Sequence, residues 1–117
     1  MTNNHNEQSE FLYVFGYESP DEYEVNKAEG TDYESAGCFK LFAITSDDAL
    51  RWGRVLSDWY IMKLFGDKKP GRWLGDDYAN WIETDSSHHM YELGQSLTIL
   101  NVGEYPDFEE MRRIFQD

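Results

Sequence analysis

At 117 residues the chain has room for one hydrophobic core and not for two. Aromatic residues at 16% argue against wholesale disorder. A net charge of −13 disfavours direct binding to nucleic acid or anionic lipid and favours basic proteins. The charge is uneven: residues 1–39 carry nine acids and one base (−8), 40–72 four acids and seven bases (+3), and 73–117 ten acids and two bases (−8).

The first ten residues, MTNNHNEQSE, read as a flexible polar tail, leaving 11–117 as a single α+β domain. They show neither the basic start nor the apolar stretch of a secretory signal. A lone Cys38 forms no internal disulfide, so the expected location is cytoplasmic. FLYVFGY (11–17) is apolar on both faces and rich in β-formers, which predicts a buried strand. Residues 19–37 then hold six carboxylates and one lysine, and with Pro20, Gly30 and Gly37 as breakers they read as a long acidic loop. CFKLFAIT (38–45) is the second predicted strand.

Residues 46–66 give the clearest helix. Thr45 or Ser46 can cap it, Asp47 and Asp48 suit the positive end of its dipole, and Gly66 suits its C-terminal stop. Asp47, Arg51, Arg54 and Asp58 share a narrow polar face, with Ala49, Trp52, Leu56, Trp59, Tyr60 and Leu64 opposite. Gly53 on the apolar side points to close packing on a sheet. Residues 66–77 form a basic loop, 78–84 a third strand, 85–94 a short helix or irregular link, and 95–102 a fourth strand. Pro106 in a first turn opens a last helix, with Phe108, Met111 and Phe115 on one stripe. The order β-β-α-β-(α)-β-α predicts a two-layer domain: a mixed or antiparallel sheet of about four strands with two main helices on one face. It is compatible with a permuted ferredoxin-like sandwich.

Motifs for chemistry are sparse. His88 and His89 are adjacent, so they point about 100° apart on a helix and to opposite faces of a strand. Neither arrangement chelates one metal well, and a polar exposed turn is the better reading. Cys38 has no histidine near it in sequence and reads as a small buried strand residue. Lys68, Lys69 and Arg72 lie among glycines but follow a helix C-terminus, where the dipole opposes an anion. Glu83 shares a strand face with Trp81 and Ala79, making it the best of many carboxylates for acid–base work. No catalytic residue, metal or cofactor is assigned.

Six of the eight tyrosines have an acid directly beside them, and DEYE and TDYE place two such units within a dozen residues. Tyrosine supplies rigid contact area, and carboxylates around it steer a basic partner. The expected function is a small acidic interaction domain that binds a basic protein through Asp21, Glu22, Tyr23, Glu24, Asp32, Tyr33 and Glu34. In size and charge, though in no motif, it resembles acidic inhibitors of nucleases, which implies an inhibitor or immunity-type role. The competing expectation is a small-molecule pocket or enzyme in which Trp73, Glu83, His88 and His89 converge. A homodimer, with an apolar face covered by a second copy, is a third.

Overall fold

The computed structural model describes residues 7–66 and 80–116, apart from the side chains of His89 and Gln116. In chain order the elements are β1 (Ser9–Tyr17), α1 (Pro20–Glu29), β2 (Ser35–Ala43), α2 (Ser46–Phe65), β3 (Asn80–Glu83), α3 (His89–Gly94), β4 (Leu100–Asn101) and α4 (Phe108–Gln116). The strands form one mixed sheet in the order β3-β1-β2-β4. β1 runs antiparallel to both of its neighbours, and β2 runs parallel to β4. The α+β class and the four-stranded sheet agree with the sequence reading.

The doubly apolar FLYVFGY segment becomes the central strand because both of its faces are covered. Alternation sends Tyr13, Phe15 and Tyr17 to one side and Leu12 and Val14 to the other. On the first side, Phe15 stacks on Phe39 at 5.5 Å and meets Tyr60 of α2 edge-on at 6.3 Å. Phe115 of α4 packs edge-on against Phe39 and Tyr60. Aromatic burial of this kind contributes area and oriented ring contacts together. α2 sits close because Gly53 has no side chain: a Cβ there would fall 2.3 Å from the Tyr13 ring. Tyr13 and Ser57 share a buried hydrogen bond of 3.1 Å across that contact. Thr45 caps α2 through its hydroxyl, which accepts the Asp48 N–H.

The other side of the sheet is covered by α3. Gly94 lies against Leu12, and the Cys38 thiol faces the Met90 carbonyl at 4.0 Å. No helix among the described residues is long and apolar enough to cross a membrane.

Several expectations change. The acidic 19–37 segment is mostly helix α1 rather than loop, and β2 begins at Ser35, three residues early. In the sheet, β1 lies between β2 and β3. The parallel β2–β4 pair also departs from the antiparallel sheet of a ferredoxin-like sandwich. The fourth strand shrinks from the expected 95–102 to two residues. Its extension is stopped at Asn101, whose N–H is taken by the Glu104 carboxylate at 2.6 Å and whose carbonyl accepts from the Glu104 N–H at 2.9 Å. The helix start also shifts: Pro106 precedes α4, and Asp107 accepts the Glu109 N–H as its cap.

Candidate protein-binding surface

Helix α1 forms without an apolar face, from capping alone. Ser19 is extended (φ −73°, ψ 163°), and its hydroxyl accepts the Glu22 N–H at 3.1 Å. Glu22 reaches back to accept the Ser19 N–H at 2.8 Å, closing a capping box. Pro20 fits the first turn, where its missing N–H costs nothing. Gly30, at φ +69°, ends the helix with its N–H on the Asn26 carbonyl. Asp21 and Glu22 at the N-terminus and Lys27 in the last turn complement the dipole.

A polar network ties this helix to the body. Asn26 is buried, and its amide nitrogen donates to the Glu18 carboxylate (2.6 Å) and to the Tyr33 carbonyl (2.9 Å). Its oxygen accepts from the Tyr33 N–H (2.8 Å) and the Thr31 hydroxyl (2.7 Å). Those four bonds fill the capacity of an asparagine side chain. Glu22 also accepts from the Ser35 hydroxyl, joining the start of α1 to the start of β2. The two ends of the connection are therefore pinned together.

The seven proposed contacts fare differently. Glu22 is half-buried and occupied by internal hydrogen bonds, so its part is structural. Asp21, Glu24, Asp32 and Glu34 are exposed, as are Tyr23 and Tyr33, the latter at 59%. Lys27 lies 5.9 Å from the Tyr23 ring centroid, one turn along the helix. The Glu34 carboxylate lies against Gly16, at the end of β1. Four acids and two tyrosines are thus presented by a single ordered connection.

The alternative pocket divides. Trp73 lies outside the described residues, as do the loop cations Lys68, Lys69 and Arg72 and the His89 side chain. Glu83 and His88 do meet, with Nε2 of the imidazole 3.4 Å from Oε1. That carboxylate also accepts the Trp81 indole N–H at 2.8 Å and the Asp85 backbone N–H at 3.1 Å. These two bonds, the indole first, hold the Glu83 carboxyl below the usual range. A general acid at neutral pH needs the opposite shift. His88 uses Nδ1 to accept the Met90 N–H at 3.1 Å, capping α3, and so presents its Nε2 hydrogen to Glu83. Both ring nitrogens are engaged in fixing the turn. Asp85 is held low in the same way, by the hydroxyl and N–H of Ser87.

No group of three His, Cys, Asp or Glu side chains among the described residues is arranged to hold a metal ion. Cys38 is fully buried, and burial pushes its thiol up to about 12 despite Lys40 nearby, which opposes activation as a nucleophile. Lys40 instead pairs with Glu10 at 3.3 Å. A cavity of about 120 Å³ lies beside that pair, lined by Leu12, Tyr91, Gly94 and Gln95, and it includes neither Glu83 nor His88. It is well below the volume of a typical ligand site. No family model, curated protein or solved structure matches this chain.

Proposed function

We propose that the protein is a non-enzymatic interaction module that binds a basic protein through α1 and the turn that follows it. Within that class an inhibitor or immunity-type role fits best, against a nuclease or another nucleic-acid-binding protein. One observation carries the reading: α1 buries no apolar stripe, yet it is fully capped and anchored, and together with the segment that follows it leaves Asp21, Tyr23, Glu24, Asp32, Tyr33 and Glu34 exposed. A helix that contributes little to the core and still receives a complete set of caps is suited to presenting side chains. Carboxylates on such a platform accelerate encounter with a cationic partner and pair with its Lys and Arg. The tyrosines add contact area with few torsions to freeze. Because the platform is ordered beforehand, little conformational entropy is lost on binding. The same field repels nucleic acid itself.

The test is a variant carrying Asp21→Asn, Glu24→Gln, Asp32→Asn and Glu34→Gln, with Glu22 kept because it caps the helix. Wild type and variant are used to capture proteins from the native lysate at moderate salt, and calorimetry follows on the basic protein recovered. The reading expects one stoichiometric partner whose affinity falls about 100-fold in the variant, with a flatter salt dependence. Equal affinity for both proteins overturns it.

A further inference from the structure

Helix α2 has a second apolar stripe that the core uses only at its margin. Ala49, Gly53, Leu56 and Tyr60 face the sheet and are buried. Trp52, Val55, Trp59 and Met62 follow one another at spacings of three, four and three, the interval that keeps side chains along one seam of a helix. Val55 is 44% exposed and Met62 45%. The two tryptophans are half-buried at the core margin, bridged by Tyr105, whose ring lies edge-on to both at 5.2 and 5.3 Å. The Trp52 indole donates to the Glu104 carbonyl at 3.0 Å, which fixes that strap beside the helix. Tyr105 is itself 51% exposed, so the seam and the strap form one continuous outer surface.

Charge indicates what covers it. α2 holds Asp47, Asp48 and Asp58 against Arg51, Arg54 and Lys63, so it is neutral, and the whole net charge of −13 lies elsewhere in the chain. Two copies repel wherever acid faces acid, but they can approach across this helix. A basic partner gains nothing from a neutral stripe when the acids lie on α1. An antiparallel pairing sets the acidic first turn, Asp47 and Asp48, beside Lys63 of the facing helix, and it opposes the two macrodipoles. One rival route to self-association, strand addition at the β4 edge, is hindered because Glu104 occupies both backbone groups of Asn101. We propose that the Trp52–Val55–Trp59–Met62 stripe is the contact through which two copies of this chain associate, α2 against α2 and antiparallel.

Sedimentation equilibrium tests this with wild type, a Val55→Glu/Met62→Glu variant and an Ile99→Glu control on the exposed β4 side. The proposal expects a reversible dimer that tightens about fivefold as salt screens the like charges. It expects association at least tenfold weaker in the double variant and unchanged in the control. A wild type that stays monomeric to about 500 µM overturns it, as does a dimer indifferent to the double substitution. Circular dichroism checks that the variants fold. Should the double variant unfold, Val55→Cys decides: oxidation yields a cross-linked dimer if the stripe is the contact, and a monomer if it is not.

Discussion

Helices α1 and α2 are joined to the same sheet by opposite physics. α2 buries Leu56, Tyr60 and Ile61 completely and is seated on the Tyr13 ring through Gly53. α1 buries one residue, Asn26, and is held by caps and by the hydrogen bonds of that single amide. Apolar contact holds α2 nonspecifically over a broad area, whereas α1 depends on a few directional bonds. The contrast shows where a small domain can place function. The apolar helix builds the fold, and the polar one is free to carry charge outward.

The largest effect should come from crowding α2. Gly53→Val forces the helix off Tyr13 and is expected to cost about 3 kcal/mol in urea unfolding. Little change there would mean the seat on the sheet is looser than the 2.3 Å approach implies. Next, Asn26→Ala removes hydrogen bonds from the Tyr33 backbone and the Glu18 carboxylate, at a cost of about 2 kcal/mol. Hydrogen exchange should quicken across residues 20–33 while the amides of Tyr13 and Phe15 keep their protection. Uniform loss over both regions would show that α1 is part of the core unit after all.

Tyr60→Phe should act in the opposite direction. The Tyr60 hydroxyl is buried with no hydrogen-bond partner among the described residues, and burial raises its pKa. Removing it should stabilise the protein by about 1 kcal/mol, read as a higher urea midpoint. A loss of stability would reveal a partner for that oxygen.

The smallest effect lies outside both helices, at Glu83 and Asp85. Their folded pKa values sit below the ordinary ones, so the stability they contribute is present above the unfolded values of about 4.3 and 3.9. It is lost only as pH falls on through the lower folded values. The Trp81 indole N–H resonance should therefore hold steady between neutral pH and about 5 and move only in stronger acid. Movement near neutrality would contradict this assignment.

These contrasts also explain what could be read in the sequence. The central strand was legible from its continuous run of apolar β-formers, and α2 with its Thr45 cap and Gly66 stop and the Phe108–Met111–Phe115 stripe from their helical hydrophobic period. α1 leaves no periodic signal because Val25 and Tyr23 are exposed. Its caps were nonetheless written plainly, with Ser19, Pro20 and Glu22 opening it and Gly30 closing it. The length of β4 is not legible from its apolar run, which does not say that a later glutamate will close Asn101. The site residues were partly legible: exposure of the acids follows from charge, while the internal use of Glu22 needs Ser35, thirteen positions away. The meeting of Glu83 with His88, and the anchoring of Asn26 on Glu18, depend on folding and leave no local trace.

The most direct test of the central claim is a hydrogen-exchange footprint of the protein with and without its captured basic partner. The account predicts new protection concentrated in residues 19–35, with the Val55–Met62 stretch of α2 and the Glu83–His88 turn unchanged. Protection centred on either of those regions, with residues 19–35 exchanging as before, would contradict it.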